Sequence, residues 1–487
     1  MPDSTAPFDL LIRGGTVIDG SKAPRFDADV GIRAGRIAAI GKLAGHAAAA
    51  TLDASGRIVA PGFIDSHTHD DQAVLSQADM VFKVSQGVTT VVAGNCGISA
   101  APLRPDMELP MPLSLIDAPA GGRFTTFAAY LDALRATPSS VNVAAMVGHS
   151  TLRAVTMASL DREATAQEIK AMQALVQEAM EAGAIGLSTG TFYPPALKAT
   201  TEEIIEVGRP LTAHGALYVT HMRDEADQVM ESLEETFRIG RELGIPVVVS
   251  HHKLQNQANF GRSTTTLPFI RETMKHQCVS LDCYPYTAGS TMIRTDRGML
   301  EGRVLIASST PHPECAGRDL DDIAREWGCP KDEAARRLQP GSAIYFLMDE
   351  NDVQRILAFD ETMIGSDGIP VGESPHPRLW GTFPRVLGHY SRDVGLFPLE
   401  TAVHKMTGLT ARNFGLHQRG SLAVGHHADV VVFDAATIRD AADYATPTRP
   451  AVGIDAVIVN GAITWQGGRH SGARNGQVIT RRPKKAA

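Results

Sequence analysis

The chain has 487 residues, of which 43% are hydrophobic and 21% charged, with a formal net charge of −8. Those proportions belong to a globular fold, and the acidic balance argues against a general nucleic-acid or membrane-surface role. No apolar run approaches the length of about 18 residues that a transmembrane helix needs, and the first ten residues, with Asp3 and Asp9, lack the basic and then apolar pattern of a secretory signal. The cysteines Cys96, Cys278, Cys283, Cys315 and Cys329 are odd in number and contain no Cys-x-x-Cys pair. A disulfide scaffold is therefore not expected, and a cytoplasmic location is.

Residues 8–60 read as short strands separated by glycine turns, Gly14-Gly15 and Asp19-Gly20 among them. From residue 62 onward, short β-rich runs recur, each ending in a polar cluster. Residues 62–66 lead to His67, 88–93 to Asn95 and Cys96, 141–147 to His149, and 184–187 to Ser188. Residues 217–220 then lead to His221, 245–250 to His251, 279–281 to Asp282 and Tyr284, and 362–366 to Asp367. Eight such units with helical sequence between most of them predict an α/β fold, a (β/α)8 TIM barrel. Thr165-Ala-Gln-Glu168 and Thr200-Thr-Glu-Glu203 carry helix-start signals, and Gly183 and Gly215 can end those helices.

Residues 428–433 and 456–460 share the texture of the first sixty. Neither end has enough strands to bury a core alone, so the two termini are expected to pair into one small β-sandwich. The expected organisation is a sandwich from 1–61 plus 415–487, a catalytic barrel over 62–414, and an insertion over 287–350. The insertion lies between the seventh and eighth strands, is partly helical around 319–326 and 331–338, and is a candidate lid over the barrel mouth.

The most informative motif is Pro61-Gly-Phe-Ile-Asp-Ser-His67-Thr-His69. Residues i and i+2 of a strand point the same way, so both imidazoles can reach one metal inside the barrel. Cys96, His221 and His251 stand at other strand tips, on the face where barrel enzymes do their chemistry. Asp367, in Gly365-Ser-Asp-Gly368, follows the eighth strand. A carboxylate there, beside a divalent cation, stays ionised and can act as a general base.

This set resembles the amidohydrolase superfamily. Gly94-Asn-Cys-Gly97, Thr220-His-Met-Arg-Asp-Glu225, Ser250-His-His-Lys253, Asp282-Cys-Tyr-Pro-Tyr286 and His376-Pro-Arg378 are similar to the D-aminoacylases, the N-acyl-D-amino-acid deacylases, over nearly the whole chain. Many amidohydrolases bridge their metals with a carboxylated lysine after strand four. The segment Ala184-Ile-Gly-Leu-Ser-Thr-Gly190 has no lysine, Lys198 lies too far along the next loop, and Cys96 looks like the substitute.

The resemblance implies a tight Zn2+ site of Cys96, His221 and His251, and a second, weaker one of His67, His69 and Cys96 with Asp367. It implies Asp367 as catalytic base and Tyr193 as a catalytic donor to the carbonyl oxygen. It implies a clamp for the substrate carboxylate in which Lys253 and Arg378 supply charge, Arg378 through a bidentate fork, and Tyr284 and Ser290 complete the grip. The expected substrate is a small-molecule N-acyl-D-amino acid with a neutral apolar side chain, the expected assembly a monomer or small homo-oligomer, with no nucleic-acid or membrane partner. The alternatives are an N-acyl-D-glutamate or N-acyl-D-aspartate deacylase, with Arg294 or Arg297 holding the side-chain carboxylate, a hydantoinase-like cyclic-amide hydrolase, or an inactive barrel. His149 is expected to line the substrate or support the site, His252 to face away from it, Cys278 and Cys283 to be packed thiols, and His426-His427 to be a turn.

Overall fold

The structure, a computed structural model, describes residues 7–117 and 122–481; the side chain of Arg297 lies outside the described set. Its centre is a barrel of parallel strands: β1 (Phe63–Asp65), β2 (Val88–Ala93), β3 (Asn142–Ala145, continued by Val147–Gly148), β4 (Gly186–Gly190), β5 (Leu217–His221), β6 (Val247–Val249), β7 (Val279–Cys283) and β8 (Thr362–Ile364). They form two hydrogen-bonded arcs that share β3. Its first half pairs with β2, and its second half with β4. Across the remaining seam, between β1 and β8, the Ser66 amide donates to the Ile364 carbonyl at 3.3 Å and the Asp367 amide to the His67 carbonyl at 2.8 Å.

Strand alternation sets the core. Val92, Val219 and Val248 sit with Ile64, Met146 and Met363 in the barrel interior, while Val91, Tyr218, Val247 and Val249 pack outward against the helices. Two residues beyond Val219, His221 keeps the inward direction and arrives at the barrel mouth. The helix Ala166–Ala182 carries the expected capping box at Thr165 and ends at Gly183, whose φ of +116° favours glycine. The helix Thr201–His214 is capped by Thr200 as expected. Its Glu203 does not reach back to complete a box; it turns instead to Arg153 and His149.

Both chain ends meet in one nine-stranded sheet. Ile58–Pro61 pairs antiparallel with Val430–Phe433, and the sheet curls until Arg36 bridges to His427. Val30, Ile32, Val59, Val430, Val432 and Ile458 close over a common core. The last strand leaves this sheet: Val478–Ile479 runs parallel to Asn142–Ala145 and extends the barrel instead.

Between β7 and β8, the strands Gly289–Met292, Val304–Ser309 and Gly341–Tyr345 form a separate antiparallel sheet, with helices Leu320–Glu326 and Lys331–Arg337 against it. Its apolar cluster, including Ile306, Leu320, Ile323 and Tyr345, is distinct from the barrel core. Among the described residues, no helix is long and apolar enough to cross a membrane.

Candidate metal centre and substrate pocket

The barrel mouth gathers His67, His69, Cys96 and Asp367 into one group of donor atoms, and Cys96, His221 and His251 into a second, all buried and each group spanning no more than 4.8 Å. Cys96 belongs to both. Its Sγ lies 3.2 Å from His67 Nε2 and 3.4 Å from His251 Nε2. Asp367 Oδ1 stands 3.2 Å from His69 Nε2 and 3.5 Å from His67 Nε2.

Backbone conformation does much of the aiming. Cys96, His251 and Asp367 have φ values of +54°, +34° and +48°, in the left-handed region that side chains other than glycine's adopt at a cost of about 1–3 kcal/mol. Neighbouring glycines let these turns close. A Cβ on Gly94 would meet the Met146 carbonyl oxygen at 2.1 Å, and one on Gly365 would meet His67 Cβ at 2.5 Å.

The donor set fits zinc. A thiol, imidazoles and a carboxylate are the ligands this borderline-soft ion takes, and among the described residues neither ring nitrogen of the buried His221 has a well-aligned hydrogen-bond partner. Burial opposes ionisation at Cys96, but the His67 and His251 rings beside it draw its pKa well below the usual thiol value. Burial likewise opposes charge on Asp367, but the Arg378 guanidinium together with His251, His69 and His67 outweighs it and holds the carboxyl well below the ordinary range. At His69, burial is overcome by Asp367 and Cys96, and its pKa rises to about 9.

Two carboxylates without an expected role orient the ligands. Glu225 Oε1 lies 3.0 Å from His251 Nδ1 and 2.6 Å from Lys253 Nζ, and Glu225 Oε2 lies 3.4 Å from His221 Nε2. Asp282 Oδ1 accepts from the His251 amide at 2.8 Å and sits 3.5 Å from His67 Nδ1. Carboxylates behind imidazoles are what fix the tautomer and orientation of metal ligands. Both lie inside motifs noted above, Thr220 to Glu225 and Asp282 to Tyr286, so the signal was present in the spacing from the ligand histidines.

A cavity opens beside the cluster, lined by Tyr193, His221, Lys253, Tyr284, Ser290 and Asp367 among others. The insertion contributes Gly289, Ser290, Thr291, Met299, Tyr345, Leu347 and Met348 to its wall. Tyr193 OH accepts from Thr291 Oγ1 at 3.1 Å, which leaves its own proton free. Burial pushes its pKa well above 10, so it stays a donor. The fully buried Arg378 sits 2.9 Å from Asp367 Oδ2, donates to the Ser290 carbonyl at 3.1 Å, and lies 4.5 Å over the Tyr284 ring. Arg294 stands behind Phe192, which lines the cavity: its guanidinium lies 4.6 Å from the Phe192 ring centroid, its Nε pairs with Asp296 at 2.7 Å, and its buried Nη1 has no hydrogen-bond partner among the described residues.

Other expectations are corrected or met. His149 does not line the cavity; it pairs with Glu203 at 3.0 Å, at the start of the helix His149–Thr156. Cys278 is exposed rather than packed, because it precedes β7 at the barrel's far end, whereas Cys283 is buried. His252 points to Thr266 Oγ1 at 2.9 Å, away from the cluster. Lys198 is exposed.

The chain matches the Amidohydrolase family over residues 50–278 and 331–465. A D-aminoacylase of Alcaligenes xylosoxydans xylosoxydans is 62% identical over 98% of each chain. An N-acyl-D-aspartate deacylase of the same organism is 50% identical over 98% of this chain and 96% of its own. A solved structure of D-aminoacylase, described for the functional role of that enzyme's binuclear metal centre, superposes with a TM-score of 0.96 at 60% identity, covering 98% of this chain and 100% of that one. An N-acyl-D-glutamate deacylase from Bordetella bronchiseptica, complexed with zinc and a phosphonate mimic of the tetrahedral intermediate, gives a TM-score of 0.93 at 47% identity, covering 98% and 100%. A D-hydantoinase, 17% identical with a TM-score of 0.60 and covering 98% and 100%, shares the fold alone. The chain belongs to the amidohydrolase family and, within it, to the D-aminoacylases.

Proposed function

We propose that this protein is a zinc-dependent hydrolase that cleaves N-acyl-D-amino acids to a carboxylate and a free D-amino acid, with a preference for neutral apolar side chains. The observation that carries this reading is the pair of donor groups sharing Cys96, with Asp367 at the edge of a cavity that holds Tyr193 and Lys253. Zinc held by Cys96, His221 and His251, with a weaker second site at His67, His69, Cys96 and Asp367, would supply Lewis acidity and make water nucleophilic at neutral pH.

The chain's residues do the rest. Asp367, ionised through its contact with Arg378, takes the proton of the attacking water and returns it to the leaving nitrogen. Tyr193 donates its phenolic proton in a hydrogen bond to the carbonyl oxygen as charge builds there. Arg378, with Lys253, Tyr284 and Ser290, receives the substrate's α-carboxylate. Met299, Leu347 and Met348 in the cavity wall give the side chain an apolar surface.

We further take 1–61 with 415–487 as one unit and 62–414 as the catalytic one, the segment 478–479 crossing back to the barrel. The insertion 287–350 acts as a lid that keeps bulk water from the cavity, and the protein works as a monomer or small homo-oligomer. Turnover of N-acetyl-D-methionine by zinc-loaded enzyme, and none by the zinc-free form, is the test. Equal turnover without zinc would overturn the reading.

A further inference from the structure

The seam between β1 and β8 is not a regular ladder. One isolated parallel bridge, Thr68 with Gly368, and a few single backbone hydrogen bonds join the two strands beyond their ends. A wholly buried ion cluster stands beside them. Lys83, on the short helix Val81–Val84, places Nζ 2.7 Å from Asp65 Oδ2, 2.9 Å from Ser366 Oγ and 3.2 Å from Asp70 Oδ2. Asp65 Oδ1 accepts from the Ser366 amide at 2.8 Å and the His67 amide at 3.3 Å, and Ser366 Oγ accepts from the Gly368 amide at 3.2 Å.

The sequence positions of these partners matter. Asp65 precedes His67 by two residues, Asp70 follows His69, and Ser366 precedes Asp367. One ammonium thus ties the segment bearing two candidate ligands to the turn bearing the candidate base. That turn is strained, with Asp367 at a φ of +48°, so something must hold it. Buried ion clusters are weak sources of net stability, because desolvation offsets their attraction. Their charge-assisted hydrogen bonds are directional, and that is the property a positioned base needs.

We propose that Lys83 is a positioning residue that holds the Asp367 carboxylate in register with His67 and His69, acting through Ser366 and Asp65. The proposal rests on the reading of Asp367 as the proton acceptor. A misplacement of about 1 Å at a reacting group can cost about a hundredfold in rate.

The test uses Lys83→Met and Ser366→Ala, each alone and each combined with Asp367→Asn, with kcat, KM, zinc per chain and Tm measured for all. The expected result is a fall in kcat of about a hundredfold for Lys83→Met and a smaller fall for Ser366→Ala, with KM moving less than about threefold and zinc retained. In the Asp367→Asn background neither change should lower the residual rate further, since the group they position is already gone. Losses that multiply in the double variants, or an unchanged kcat per bound zinc, would make the role structural and overturn the proposal. If Lys83→Met does not fold, the Ser366→Ala cycle decides alone, because it leaves the buried charges paired. A wild-type rate in Asp367→Asn would overturn the base assignment, and Lys83's role with it, which is a different outcome from multiplied losses.

Discussion

Arg378 Nη1 lies 2.9 Å from Asp367 Oδ2, and the arginine side chain has no exposed surface. One guanidinium therefore faces the candidate base on one side and the Ser290 carbonyl on the other, over the Tyr284 ring. It can keep Asp367 ionised and still present its remaining N–H groups to a substrate carboxylate. Its Nε, also buried, has no hydrogen-bond acceptor among the described residues.

Arg378→Lys is expected to raise KM for N-acetyl-D-methionine by about ten- to a hundredfold, the cost of losing charge-assisted hydrogen bonds from a planar fork. Steady-state kinetics check this. An unchanged KM would remove Arg378 from the carboxylate clamp.

Asp367→Asn should retain fold and zinc while kcat falls by about 10²–10⁴-fold, because the isosteric amide fills the space without accepting a proton. Elemental analysis and thermal unfolding on the same sample separate this from a damaged site. Activity near the wild-type level would assign the base to another group.

Cys96→Ser should lower zinc content, since a hydroxyl is a far poorer zinc donor than the thiolate favoured at this position. Chelator treatment of the wild-type protein should abolish turnover and added zinc should restore it. Full zinc content in Cys96→Ser would show that the shared position is dispensable.

Acid stability depends on Glu203. Burial works to raise its pKa, but the hydrogen bond with His149 and the Arg153 guanidinium prevail and hold it at about 2, against 4.5 for a free side chain. A carboxylate with a depressed native pKa stabilises the fold fully above the unfolded value and loses that contribution as pH falls toward the native one. The window is therefore pH 4.5 down to about 2, and the contribution is on the order of 3 kcal/mol. Tm measured from pH 6 to 3 should fall less steeply in Glu203→Gln than in the wild type, from a lower starting point because Arg153 stays buried unpaired. Parallel curves would contradict this assignment.

The ligand cluster was legible in the sequence because its residues stand at strand tips, where alternation alone brings them to the mouth. The roles of Glu225 and Asp282 are not legible from the sequence, since an acid in a loop or at a strand end is usually solvated. Here the left-handed turn at His251 brings Nδ1 to Glu225 and its amide to Asp282. Thr200-Thr-Glu-Glu203 reads like Thr165-Ala-Gln-Glu168, yet only the second closes a capping box. A nearby buried guanidinium is a stronger attraction than the Thr200 amide, and no local pattern reveals it. The return of Val478–Ile479 to the barrel was hidden for the same reason: two residues carry no period, and only the open edge of Asn142–Ala145 selects them.

The most direct measurement of the central claim is kcat/KM of the zinc-loaded protein for N-acetyl-D-methionine beside N-acetyl-L-methionine, N-acetyl-D-glutamate, N-acetyl-D-aspartate and hydantoin. The account predicts the highest value for the D-methionine derivative, much lower values for the acidic D-substrates, and none above background for the L-isomer or hydantoin. Preference for D-glutamate or D-aspartate would contradict the apolar pocket, and preference for the L-isomer or hydantoin would contradict the deacylase itself.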